Sequence, residues 1–148
     1  MYVITAFCSI KIPVCCSTHT CITVLCAFQP STDPYVKVYL VYQGRRIAKW
    51  KSSIRRNTLA AVFNEPFQFD LEQRDIFDIS LELLVMDYDR FSRNDIMGIV
   101  LLGGSVHYHS GRSHWAEMIA SSRQSITQWH SIRAVSPQEV RNRKISYS

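Results

Sequence analysis

A chain of 148 residues, 47% of them apolar, is long enough to bury one full core and too short for two comfortable domains. Its formal charge of +5 is modest but uneven: six basic residues and no acidic one fall between positions 45 and 56, pointing to an acidic partner for one face. The five cysteines all lie in the first 26 residues, an odd number with no C-x-x-C pair, which argues against both a disulfide framework and a structural zinc site.

Residues 1–29 are apolar enough to suggest an anchor. Lys11, Pro13 and the polar run 17–20 interrupt them before the ~18 to 20 apolar residues that a spanning helix needs. The basic start of a secretory signal is also lacking, so no transmembrane helix is expected. Residues 7–14 and 21–28 have strand composition, and this segment either completes a sandwich or stands outside the fold. From residue 33 the dominant period is two. Val36, Val38 and Leu40 alternate with Lys37 and Tyr39, and Gln43-Gly44 offers a turn into a hairpin. Residues 47–54 read as a second strand, Phe67, Phe69 and Leu71 as one face of a third, and Ile79, Leu81, Leu83 and Val85 as one face of a fourth. Residues 96–102 are almost continuously apolar, which predicts a fifth strand at the centre of its sheet. Turn signals at Asn57, Asn64-Glu65-Pro66, 87–95 and Gly103-Gly104 separate these strands and predict an antiparallel β-sandwich. Trp115, Met118 and Ile119 then follow i, i+3, i+4 spacing after Ser113, predicting one short amphipathic helix near the C-terminus, and residues 126–132 a last strand. The organisation expected is an apolar cysteine-rich segment, 1–30, able to supply one or two strands; a folded domain, 31–132; and a disordered tail, 133–148.

The loop 87–95 carries the densest chemistry, Asp-Tyr-Asp-Arg-Phe-Ser-Arg-Asn-Asp. Three crowded carboxylates repel unless a cation or solvent screens them, and calcium suits them because it takes six to eight oxygen ligands in a flexible geometry. Asp87 and Asp89 flank Tyr88, whose carbonyl adds an oxygen, and Ser92 adds a hydroxyl. An EF-hand does not fit: counting from Asp87, position five is Phe91, position six is Ser92 and position twelve is Gly98. The set needs a second loop, for which Asp33 is the candidate, although Asp33-Pro34 alone is an ordinary turn starter. A solvated acidic turn is the bland alternative. Phe91 between Arg90 and Arg93 has the composition of a membrane wedge, or else of a packed ring. Arg45, Arg46, Lys49, Lys51, Arg55 and Arg56 form a second cluster, with Arg45, Lys49 and Lys51 predicted on one face of their strand. Such a stripe suits the clustered phosphates of phosphoinositides, at about 1 kcal/mol per basic residue near an anionic membrane. No helix-turn-helix, zinc finger or paired stacking aromatics accompany it, so lipid or an acidic protein is expected and nucleic acid is not. Catalysis finds little support. Gly103-Gly104-Ser105-Val106-His107 is not a nucleophile elbow, no P-loop or H-E-x-x-H occurs, and His107, His109, His114 and His130 lack metal-ligand spacing.

Together, Asp33-Pro34-Tyr35-Val36-Lys37-Val38, the basic strand, Asn57-Thr58-Leu59 with Val62-Phe63-Asn64-Glu65, and the 87–95 loop resemble a synaptotagmin C2 domain over residues 31–132. His114-Trp115 and Trp129-His130-Ser131-Ile132 look like the second, C2B-type, domain of that family. The resemblance implies an eight-stranded antiparallel C2 sandwich with no enzymatic activity. It also implies calcium-dependent phospholipid binding in vesicle trafficking and regulated exocytosis, with anionic phospholipids, phosphoinositides and syntaxin-like SNARE proteins as partners. The place implied is the cytoplasmic face of a secretory vesicle or plasma membrane, as a peripheral protein. On the same resemblance Asp33, Asp87, Asp89 and Asp95 map onto calcium ligands with Ser92 auxiliary, residues 45–51 onto the polybasic strand, and Trp129, His130 and Ile132 onto a docking motif. Two departures stand out. Ala48 and Trp50 replace frequent lysines, and no acidic residue precedes Asp33, so a first-loop aspartate is missing and a weakened calcium site is expected. The first domain and anchor of a complete synaptotagmin are also absent from this sequence, as in a fragment, a splice form or a mispredicted start. The alternative reading is a calcium-independent adaptor that binds SNAREs, a clathrin adaptor or phosphoinositides through the basic strand.

Overall fold

Alternating apolar residues bury one face of each long strand, and that periodicity builds the core. Val36, Val38 and Leu40 of β3 (Pro34–Tyr42) and Leu81, Leu83 and Val85 of β6 (Ile79–Asp87) are all buried, as are Val100 and Leu102 of β7 (Asp95–Gly103). The computed structural model describes residues 5–10, 21–25, 32–58, 60–63, 65, 67, 69, 76–121, 126–136, 138, 139, 141 and 142. Among the described residues the strands form two four-stranded antiparallel sheets. One has the order β4-β3-β6-β7, with β4 spanning Arg45–Lys51; the other has the order β5-β2-β1-β8, built from Thr5–Ile10 (β1), Cys21–Leu25 (β2), Ala60–Phe63 (β5) and Ile126–Ser131 (β8). Helix α1 (His109–Ala120) joins β7 to β8, and described residues 138, 139, 141 and 142 are also helical.

The expected hairpin forms at Gln43 and Gly44, with φ of 48° and 77°, the paired left-handed conformation that a two-residue hairpin turn needs. β1 pairs with β8 and β2 with β5, so both expected strands complete the second sheet, while residues 11–14 and 26–28 of those strands lie outside the described residues. Of the strand expected around Phe67, Phe69 and Leu71, Phe67 is buried, stacked on Trp50 at 4.9 Å and edge-on to Phe69 at 5.7 Å. Leu71 lies outside the described residues. β5 was not expected at all.

β7 is an edge strand, which corrects the expectation that it is central. Its continuous apolar run has another cause, because the edge and face are covered from elsewhere in the chain. A Cβ on Gly111 would meet the Leu101 carbonyl, and one on Gly98 would meet the Ile132 side chain, so both α1 and the residues just after β8 sit directly on β7. The exposed edge is then closed by Ile99 and Arg133, which exchange backbone N–H···O bonds of 2.9 and 3.0 Å. Contacts continue into the segment expected as a tail. The Arg133 guanidinium donates to Glu139 at 3.0 and 2.6 Å, and Val135 packs against the cluster of Tyr35, Leu84, Met86 and Ile99.

α1 starts at His109, before the expected Ser113, and buries His114, Trp115 and Met118. His114 Nδ1 lies 2.8 Å from His130 Nε2 of β8, and His114 Nε2 lies 3.1 Å from the Ile126 carbonyl. Burial holds both imidazoles below the ordinary histidine value, and takes His130 down to about 4 with help from His114 beside it.

Candidate acidic loops and basic face

The end of β6 and the start of β7 place Asp87 directly opposite Asp95, and the antiparallel register sets Pro34 of β3 opposite Asp87. Asp33 is therefore delivered beside the acidic loop. Its N–H donates to Asp87 Oδ1 at 2.9 Å, and its carbonyl accepts from the Tyr88 N–H at 3.0 Å. The two loops are thus laced together by their own backbone.

The carboxylates have protein partners. Asp33 accepts from the Asn57 N–H at 2.7 Å and from the Arg56 guanidinium at 3.0 Å, and these bonds hold its carboxyl below the usual range. Asp89 accepts from the Ser92 hydroxyl at 2.5 Å and from the Phe91 and Ser92 N–H groups at 2.8 and 3.3 Å, with the same effect on its carboxyl. The Asn94 side chain accepts from the Asp89 N–H at 3.0 Å and donates to the Tyr35 hydroxyl at 2.7 Å, pinning the loop to β3. Among the described residues no three acidic, histidine or cysteine side chains gather closely enough to hold a metal ion. The donor set has the hard oxygens that calcium requires, and in this arrangement those of Asp33, Asp87 and Asp89 accept from protein donors. Phe91 stands 92% exposed at the tip, with Arg90 and Arg93 exposed on either side.

The basic face is reordered by a β-bulge. Leu40 pairs with Ala48 but Val41 pairs with Arg46, so Ile47 is the extra residue and is 57% exposed. The extra residue reverses the alternation. Arg46 joins Lys49 and Lys51 on the outer face and Arg45 leaves it, correcting the expected grouping of Arg45, Lys49 and Lys51. Arg46 is then engaged by Glu82 of β6 at 2.8 Å and lies 3.5 Å from the Tyr39 ring centroid. Lys51 sits over the Tyr35 ring at 4.6 Å, and its register partner Lys37 lies 5.8 Å from the same ring. Lys37 escaped the sequence reading, although its alternation with buried Val36 and Val38 marks it as outward-facing. Asn94 left no comparable signal. Arg55 and Arg56 do not join this face: Arg55 reaches the Val62 carbonyl and Glu65, and Arg56 turns to the acidic loops, where it also lies 4.5 Å from the Tyr88 ring centroid. The residues expected to form a docking motif are split as well, because Trp129 is 43% exposed while His130 and Ile132 are buried.

Comparison with family models matches residues 17–118 to the family described as C2 domain. Human synaptotagmin-9 is 45% identical over 102 residues, covering 69% of this chain and 21% of the relative. Mouse synaptotagmin-5 is 41% identical over 102 residues, covering 69% of this chain and 26% of the relative. The chain thus spans about a fifth to a quarter of the length of these curated relatives. Among solved structures, a C2 domain of RIM from Drosophila superposes with a TM-score of 0.61 at 17% identity, covering 90% of this chain and 99% of that one. The third C2 domain of KIAA1228 protein superposes with a TM-score of 0.63 at 21% identity, covering 90% and 89%. At these identities the superpositions speak for the fold alone.

Proposed function

The chain belongs to the C2 domain family, and from that premise we propose that it is a peripheral module which docks on anionic phospholipid and has no enzymatic activity. The observation that carries this reading is the outer face of β3 and β4. Lys37, Lys49 and Lys51 stand there together, backed by Tyr35 and Tyr39, while Glu82 engages Arg46. Polyphosphoinositide or phosphatidylserine head groups suit such a face, at about 1 kcal/mol per basic residue. Phe91, with Arg90 and Arg93, adds an exposed apolar tip flanked by cations, able to enter the interface. On the resemblance carried by the sequence, the domain is of the C2B type. Its setting is then vesicle trafficking and exocytosis at the cytoplasmic face of secretory or plasma membrane, with syntaxin-like SNARE proteins and a clathrin adaptor as protein partners.

Co-sedimentation of the 148-residue chain with phosphatidylcholine vesicles, with and without phosphatidylserine or phosphatidylinositol bisphosphate, tests the docking. Binding is expected only where the anionic lipid is present, and equal pelleting with neutral vesicles removes the reading. A calcium-regulated form is favoured by one observation, the direct opposition of Asp87 and Asp95 across the ladder, where like charges destabilise and a divalent cation would relieve them. Against it stands the engagement of Asp33 and Asp89 by protein donors. Docking is therefore expected to persist in a calcium chelator, and vesicle binding seen only with added calcium would reverse that order.

A further inference from the structure

The first of the two loops offers a single carboxylate, since Asp33 has no acidic residue before it in the chain. That carboxylate is already matched to a positive charge. The Arg56 guanidinium donates to Asp33 Oδ2 at 3.0 Å, while the Asn57 N–H fills Oδ1 at 2.7 Å, so both oxygens of the group are in use. Arg56 also lies over the ring of Tyr88, whose own N–H is bonded to the Asp33 carbonyl, so the guanidinium spans from the segment after β4 to the acidic loop. A cation placed between two loops in this way performs the electrostatic task that the crowded carboxylates would otherwise ask of a metal ion. We infer that Arg56 is the resident counter-ion of the acidic loops, satisfying Asp33 with a charge the chain itself supplies and competing with any divalent cation for it. The inference deepens the proposed function at its loops and rests on it only in taking those loops to face a membrane.

The geometry also explains how the contact can be reversible. The side chains of Arg56 and Asp33 are 52% and 29% exposed, so water and ions reach the pair, and an exposed ion pair with one ring contact is weak enough to exchange. A divalent ion that took Asp33 Oδ2 would displace the guanidinium from it. Without such an ion, Arg56 adds a side-chain link to the bonds that already join the two loops.

The test is calorimetric titration of calcium chloride into the full chain and its variants, with circular dichroism to verify folding. Arg56→Gln removes the competitor and is expected to bind calcium roughly tenfold tighter than the wild type, given the strength of an exposed pair plus a ring contact. Arg56→Lys keeps a positive charge and is expected to stay nearer the wild type. Adding Asp33→Asn to Arg56→Gln is expected to erase the gain. A folded Arg56→Gln chain whose calcium affinity equals or falls below the wild type overturns the inference. If that variant does not fold, the wild-type Arg56 side-chain N–H resonance supplies the answer: it must move as calcium is raised to saturation, and a stationary resonance overturns the inference too. Neither readout involves vesicles. A chain that ignores anionic vesicles yet gains calcium affinity on Arg56→Gln therefore refutes the docking reading while upholding this one.

Discussion

The basic face of β3 and β4 and the acidic loop end both concentrate charge, but they treat it oppositely. On the basic face Lys49 and Lys51 project into solvent, and the acidic neighbour Glu82 is committed to Arg46. At the loop end Asp33 and Asp89 are taken up by an arginine, a serine hydroxyl and backbone N–H groups. Arg56 offsets the charge of Asp33, while Asp89 keeps its charge among neutral donors. On the proposed function, the face is the part that captures anions and the loops the part that positions the domain.

The contrast breaks most readily at the lysines. Replacing Lys37, Lys49 and Lys51 together by alanine removes three cations from the face and is expected to cost about 3 kcal/mol, roughly two orders of magnitude in affinity for phosphatidylserine-containing vesicles. Affinity that survives this change would move the docking surface to the loops. Glu82→Gln probes the same face from within. The Arg46 and Glu82 side chains are only 13% and 11% exposed, so removing the carboxylate strands a largely buried guanidinium and is expected to lower unfolding stability by about 2 kcal/mol in urea denaturation. Stability unchanged by Glu82→Gln would mean that Arg46 finds solvent and belongs with the lysines after all. At the loop end, Phe91→Ala is expected to leave the melting temperature where it is, because the ring is 92% exposed, yet to weaken vesicle binding by about 1 kcal/mol, several-fold.

Much of this arrangement is legible in the residue pattern, and the rest is illegible for identifiable reasons. Strands β3, β6 and β7 and the Gln43-Gly44 hairpin follow from local period and turn chemistry. Whether the N-terminal strands belonged to the fold was open, because their partners, β8 and β5, are distant in the chain. The edge position of β7 was hidden by its apolar run, which answers to α1 and to residues 132–133 and not to two flanking strands. On the basic face one bulged residue, Ile47, exchanges Arg45 for Arg46, and no composition signal announces it. The acidic residues of the loops were visible as residue types. That Arg56 leaves the basic run to engage Asp33 depends on where the segment after β4 passes the start of β3, which no local pattern encodes.

Acid separates the loops from the interior, and here the loops should respond least. Hydrogen bonds from Asn57 and Arg56 hold the Asp33 carboxyl below its ordinary 3.8, and the Ser92 hydroxyl and Phe91 N–H do the same for Asp89. Their contribution to stability is complete above that ordinary value and is lost only as pH falls through the lower folded values. Between pH 7 and 5 the loops are expected to keep their charge and the Arg56 contact. The buried His114–His130 pair behaves differently. Its folded values lie below the ordinary 6.5, with His130 at about 4, so the unfolded chain takes up protons first and stability declines as pH drops from 6.5 toward 4. Melting temperatures measured across this range should therefore fall for the wild type and for Asp33→Asn alike, and should fall less steeply for His130→Gln. An acid response that disappears with Asp33→Asn but survives His130→Gln would place the titrating charge at the loops and undo the contrast between a settled loop end and a responsive interior.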